Sequence, residues 1–370
     1  MKKYFIKICA LACVLGLIFC ACADNADKEQ TRESLPNLPA KQRSNDEIER
    51  ILKLGDNKRI YVMKGMLHGH SVERALVLIG SAMIGDTKQY IALFKDDYMA
   101  TPNSYELTDV NMRVGIESGA LVLEYGDNTN MFLKEDTSLP VSVVDSIQGA
   151  YTKTQDNLEW REEINKFYIS PLNGIDKNAR DELNAALNGG AESKAQLQEQ
   201  LLKLARDDLE KLDAQSELVR IDEQDEMLYV DSKILTIGHF SYAYTGGAHG
   251  NSQYITQTFE LESGKSISSN PKDLFEPSEE LFRVLTEALL AQYGDKIFIE
   301  SLPIKKLPEY FFLTYLHDDL VPRVVLIWQQ YEISPYSSGN IMLELTLEDI
   351  KHFVRADSPY KYIFDTFAAQ

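Results

Sequence analysis

All four cysteines of this 370-residue chain, Cys9, Cys13, Cys20 and Cys22, stand within its first 22 residues. Beyond Cys22 no disulfide can form and no thiolate can hold a metal, so the body depends on a packed core. Without the first 21 residues, 349 remain (370 less 21). That is enough for a large core and for two domains.

The cysteines also mark a processing site. Lys2, Lys3 and Lys7 precede an uncharged run from Ile8 to Ala23, and Ala21 stands directly before Cys22. A basic start, a short apolar stretch and a small residue before cysteine form a bacterial lipoprotein signal. It predicts cleavage after Ala21, lipid on Cys22 and residence in the cell envelope. The uncharged run has 16 residues, short of the roughly 20 that a spanning helix needs. Bulky Phe19 before Cys20 makes that cysteine a poor alternative. Ala23 rather than aspartate follows Cys22, which in a diderm cell resembles an address in the outer membrane, facing the periplasm.

Charge narrows the partners. The chain carries a net charge of -19, and loss of three lysines with an acid-free leader takes the mature body to -22. Such acidity argues against nucleic acid and against docking on anionic lipid. It favours solubility, and it would steer in a basic protein.

The chain divides into a signal peptide (1–21), a polar tether with Pro36 and Pro39 (22–57), a β-rich module (58–155), an α+β domain (156–357) and a C-terminal tail (358–370), expected to be peripheral. Short strand-like runs separated by Gly, Asn and Asp turns predict a small barrel or sandwich for the β-rich module. His68 and His70 within it have metal-like spacing but no evident third ligand, and a polar hairpin end is the simpler reading. The fold class expected for the second domain is α+β, with mainly antiparallel strands and helices on one face.

In that domain Ile175, Ala179, Leu183 and Ala186 form one helical stripe, broken by Gly189-Gly190. Leu202, Ala205, Leu209 and Leu212 mark a second helix, and a third runs from Pro277 to Tyr293 with Gly294 as its stop. Strands are expected at 217–221, 227–230, 234–244, 310–316 and 324–331. In the third of these the apolar parity slips at Gly238-His239, which suggests a β-bulge.

Two segments stand out. Tyr242-Ala243-Tyr244-Thr245-Gly246-Gly247-Ala248-His249-Gly250-Asn251 precedes a hairpin from Thr258 to Lys265 and then Asp273-Leu274-Phe275. Gln330-Tyr331-Glu332-Ile333-Ser334-Pro335-Tyr336-Ser337-Ser338-Gly339 follows the third helix. In this order they resemble the extracytoplasmic domain shared by the lysozyme-sensing anti-sigma factor RsiV and the accessory part of PdaC-type peptidoglycan deacetylases. The resemblance spans roughly residues 160–355. It implies an α+β domain outside the cytoplasmic membrane with a role at the cell wall. Only Met1 to Lys7 precede the hydrophobic stretch, so no sigma-binding segment is expected, and no deacetylase motif is found.

The segments also have a local reading. A glycine pair marks a turn, whose His and Tyr side chains can satisfy nearby backbone groups. It also lets another backbone approach closely. The ligand-binding candidates are therefore Tyr244, Gly246, Gly247, His249, Asn251, Tyr331 and Tyr336. There is no Gly-x-Ser-x-Gly, HExxH or Walker loop, and no free cysteine. The expectation is a protein that is not an enzyme and has no cofactor or metal. It would bind a basic protein such as a lysozyme, another wall-directed protein or a peptidoglycan fragment. The alternative is a structural or assembly lipoprotein that docks onto another envelope protein.

Overall fold

The computed structural model describes residues 49–50, 52–54, 57–67, 70–84, 87–95, 105–107, 112–125, 131–155, 158–212, 218–315 and 321–367. Cys22, most of the tether and His68 lie outside them. His70 opens a strand, but its side chain is likewise outside the description.

Nine strands come first: β1 (Lys58–Leu67), β2 (His70–Ile84), β3 (Thr87–Lys95), β4 (Tyr105–Leu107), β5 (Met112–Glu117), β6 (Ala120–Tyr125), β7 (Met131–Glu135), β8 (Val143–Gln155) and β9 (Leu158–Ile169). Two helices follow, α1 (Lys177–Leu187) and α2 (Lys194–Lys211). Then come β10 (Leu218–Val230), β11 (Ile234–Tyr244), β12 (Asn251–Glu260) and the short β13 (Ser266–Ile267). All thirteen strands belong to one sheet, ordered β13-β12-β11-β10-β9-β8-β1-β2-β3-β4, with β7, β6 and β5 branching from β1. The first half of β1 pairs with β8 and the second half with β7. Tyr61, Met63, Val77 and Ile79 pack there against Val114, Leu121 and Leu123.

The fold is mixed α+β and mainly antiparallel; β9 and β10 pair in parallel. A parallel pair needs a crossover connection, which α1 and α2 supply. The domain boundary expected at 155 falls between β8 and β9. These pair from Val144 opposite Ile169 to Gln155 opposite Leu158, so the sheet runs through that point.

Asp176 caps α1, which buries Ala179 and Leu183 on the sheet and gives way to Gly189 and Gly190 at φ of 58° and 88°. Ser193 caps α2, which buries Leu197, Leu201, Ala205 and Leu209. Of the stripe read through Leu202, Ala205 and Leu209 are buried as expected, but Leu201 rather than Leu202 continues the row. Leu202 is 39% exposed, because a straight i, i+4 row from Leu197 points at the sheet. The helix seats directly on Gly149, where a Cβ would come within 2.5 Å of Leu201 backbone and side-chain atoms.

A second sheet lies apart. After the short α3 (Pro271–Leu274) comes α4 (Glu279–Tyr293), capped by Ser278 and ended by Gly294 at φ 55°. Strands β14 (Tyr310–Thr314), β15 (Arg323–Trp328) and β16 (Ile341–Thr346) then form a three-stranded sheet. Both of its faces are apolar. Val324, Leu326 and Trp328 pack with Leu281, Leu285 and Leu289 of α4. Val325 and Ile327 pack with Leu228 and Tyr254 of the large sheet. Helices on one face is therefore not the arrangement. Helix α2 packs on the Ile147 and Ile164 face of the large sheet, α1 packs against Phe167, Ile169, Leu235 and Phe259, the small sheet covers part of the face opposite α2, and α4 closes the far side.

Two further expectations change. The C-terminal tail is not peripheral. After α5 (Leu347–Ile350) it forms α6 (Lys361–Phe367), and Tyr360, Ile363 and Phe364 lie in the same core as α4. The Tyr360 hydroxyl donates to the Ser268 carbonyl at 2.6 Å. Nor does β11 bulge at Gly238. Its register with β12 is unbroken from Ile234 to Ala243, and the irregularity lies in β10 between Met227 and Tyr229. The apparent slip in β11 is a change of cover. Leu235 and Ile237 face the α1 side, whereas Phe240 faces Tyr254 on the other side. Gly238 leaves room for the Tyr254 hydroxyl, which a Cβ would meet at 2.3 Å.

Candidate functional site

The segments after β11 and β15 are about eighty residues apart in sequence, yet they meet on one surface. The His249 ring stacks on Tyr336 with centroids 3.7 Å apart and planes 20° apart. Tyr331 tilts against both rings, at 6.3 Å from His249 and 5.9 Å from Tyr336. The Nδ1 of His249 lies 2.9 Å from the Gly250 carbonyl. A carbonyl can only accept, so this nitrogen carries the proton. The ring's Nε2 lies 3.2 Å from the Tyr331 hydroxyl, within hydrogen-bond distance.

Each loop is shaped for this meeting. Gly246 and Gly247 take φ of 109° and 95°, a region that side chains disfavour. The Tyr244 hydroxyl donates to the Gly247 carbonyl at 3.1 Å. Gly250 is buried over Tyr242, whose ring atoms would stand 2.5 Å from a Cβ there. In the other loop Tyr331 adopts φ 66° and stays 55% exposed. That left-handed conformation costs a non-glycine residue about 1–2 kcal/mol, and it sets the ring beside His249.

Two glutamines clamp the loops together. Gln329 donates from Nε2 to the Tyr254 carbonyl at 2.7 Å and accepts from the Tyr254 amide at 3.0 Å. The Gln330 Oε1 accepts from the Ser252 amide at 3.0 Å. These side chains occupy the outer edge of β12 as a neighbouring strand would. Gln330 stood in the second sequence segment, but nothing in the sequence marked either glutamine as a clamp.

Beside this aromatic wall the small sheet stops and the large sheet lies open. The result is a groove of about 750 Å³ lined by Asn165, Asp222, Gln224, Tyr242, His249 and Tyr336, among others. Its floor consists of cross-strand rows, Glu163–Asp222–Tyr242 and Asn165–Gln224–Phe240. Arg161 pairs with Glu163, and Arg220 with Asp222. Burial works to raise the Glu163 carboxyl. Hydrogen bonding from Asn165 and the charges of Arg161 and Lys58 outweigh it and hold the group below the usual carboxylate range.

The opposite face of the same strands is closed. Glu162 is 1% exposed, and its Oε2 makes no hydrogen bond. Burial, with the charges of Asp208 and Glu223, pushes it up to about 8. Nearby, His239 Nδ1 lies 3.0 Å from Asp225 and 2.7 Å from the Lys166 ammonium. Among the described residues no group of three or more His, Cys, Asp or Glu is arranged to hold a metal ion.

Of the residues named from sequence, His249, Tyr336 and Tyr244 line the groove. Tyr331 touches His249 from the rim. Gly246 and Gly247 shape the loop, and Asn251 opens β12 opposite Ala243 without lining the groove. Sequence reasoning missed the floor residues Glu163, Asn165, Asp222 and Gln224. Their signal, polar residues at every second position of a strand, is that of any solvated sheet face. Among the described residues no helix is long and apolar enough to cross a membrane.

No protein-family model and no curated protein matches the sequence. Among solved structures, one similar chain is a member of the DUF3298 family from Bacteroides fragilis NCTC 9343. It is 20% identical, with a TM-score of 0.46, and the match covers 60% of this chain and 97% of that one. A second is a DUF3298 family protein from Pseudomonas aeruginosa PAO1, 18% identical with a TM-score of 0.41, covering 59% of this chain and 95% of that one.

Proposed function

We propose that this chain is an envelope lipoprotein, anchored through Cys22, that binds a wall-directed partner without catalysing a reaction. The partner is a lysozyme or similar protein, or a peptidoglycan fragment. The observation that supports this most is the joining of two distant loops into an exposed aromatic wall at the rim of a groove. The Tyr331 backbone carries a conformational cost while the ring stays in solvent, and strain of that kind concentrates at binding sites. Amphipathic aromatics suit such contacts.

The test is capture of lysozyme or soluble peptidoglycan fragments by the full chain, compared with His249→Ala. Weaker binding with an unchanged unfolding temperature supports the reading. An unfolded variant would make the loop purely structural. Absence of binding to either probe at low salt would favour the docking-scaffold alternative. Membrane fractionation of Cys22→Ala tests the anchor: normal retention and an unchanged mass would refute lipidation there.

A further inference from the structure

We infer that the groove takes an uncharged oligosaccharide, its sugar rings lying on the open sheet face against the tyrosine wall. This rests on the binding reading above and narrows its ligand.

The whole chain is strongly acidic, but the two carboxylates in the floor rows of the groove are each paired with an arginine: Glu163 with Arg161, and Asp222 with Arg220. A charged ligand would have to compete with these pairs, so ionic recognition gains little here. An acidic surface elsewhere can steer a basic protein, but this groove is not built to read its charge.

The Gln224 amide and the hydroxyls of Tyr242 and Tyr336 make no hydrogen bond to the described residues, and all three line the groove. Amides and phenols both donate and accept. That matches a sugar hydroxyl, which does the same, and an N-acetyl group, which offers both an N–H and a carbonyl. The rings beside them offer the apolar faces on which a pyranose stacks. The groove volume lies within the roughly 300–1,000 Å³ usual for small-ligand sites.

The commonest mode of peptide binding is blocked here. An extended peptide is recognised by adding a strand to a free sheet edge. Beside the groove that edge belongs to β12, and the side chains of Gln329 and Gln330 already hold its backbone groups at Ser252 and Tyr254.

The experiment is calorimetric titration of the full chain with a β-1,4-linked tetramer of N-acetylglucosamine. Saturable binding is expected, nearly unchanged between about 0.05 and 0.5 M salt because no net charge is matched. Gln224→Ala should weaken it about tenfold without shifting the unfolding temperature. Tyr242→Phe keeps the ring under Gly250, removes only the hydroxyl and should weaken binding less. Absent saturation, steep salt dependence, or binding untouched by both variants would overturn the inference. Capture of a basic lysozyme without the tetramer would overturn it and leave the broader binding reading standing. Failure of both probes would overturn both.

Discussion

The two faces of β9 and β10 share one backbone and differ in almost everything else. On one face Trp160, Glu162 and Ile164 are buried, with Ile164 packed in the α2 cluster and Trp160 against Leu209. On the other, Arg161, Glu163 and Asn165 stay partly or fully exposed, and Glu163 accepts from both of the others. Side chains of a strand alternate, so a neighbouring layer decides which half is core. Helix α2 covers Trp160, Ile164 and Val219 of the first face. The small sheet stops short on the second, and what it leaves uncovered is the groove. In this molecule the candidate site is the place where a layer ends.

If the covered face is a single shared core, cutting the chain at 155/156 should have the largest effect. A chain of residues 156–370 loses β8, and with it the partner of β9 and half of the surface under α2. It is expected to be insoluble or to lack a cooperative transition in thermal or urea unfolding. A sharp transition from that fragment would show that β8 is dispensable.

Tyr360→Ala tests the layer that closes the second face. Its ring is fully buried and meets Phe311 edge-on at 5.0 Å. Truncating a buried aromatic typically costs about 3–5 kcal/mol, read as a lower urea midpoint with an unchanged slope. A loss below about 0.5 kcal/mol would return the tail to the periphery.

Gly149→Ala sharpens the contrast between the faces. The added methyl would push α2 off the sheet, at a cost of about 1–3 kcal/mol, whereas Asn165→Ala on the open face should change stability by less than about 0.5 kcal/mol. Equal effects in chemical denaturation would contradict the difference in cover.

The smallest effect belongs to Glu162 and depends on pH. Its folded value is raised from 4.5 to about 8, so the folded state holds a proton that the unfolded chain releases. Stability from this group is therefore present at low pH, declines as pH rises from about 4.5 to about 8, and is lost above that. Glu162→Gln should flatten that slope and stabilise by on the order of 1–2 kcal/mol at pH 8, with little change at pH 4. Parallel stability–pH curves for the two proteins would show that Glu162 does not sense burial as described.

Much of the architecture was legible because it is local. The glycine stops of α1 and α4 and the hairpin after β12 follow from short-range patterns. So did the prominence of the two loops that form the aromatic wall. The stripe of α2 was misread because Leu202 and Leu201 are adjacent in a leucine-rich helix, and only contact with Gly149 selects between them. The parity of β11 was misread because a strand covered differently at its two ends looks, in sequence, like a strand that slips.

By itself the sequence determined that the body has no disulfide, that its net charge is strongly negative, where the three longer helices and several of the strands lie, and that His249, Tyr331 and Tyr336 are unusual. Those properties depend on composition or on neighbours a few residues away. Only the tertiary structure decided that β1 to β8 and the later strands share a sheet, that Tyr360, Ile363 and Phe364 are core, and that Asn165, Asp222 and Gln224 form one floor. Each of these depends on which layer covers which face. That is a long-range outcome of packing, and alternating polar residues read the same way whether they end in open solvent or in a groove.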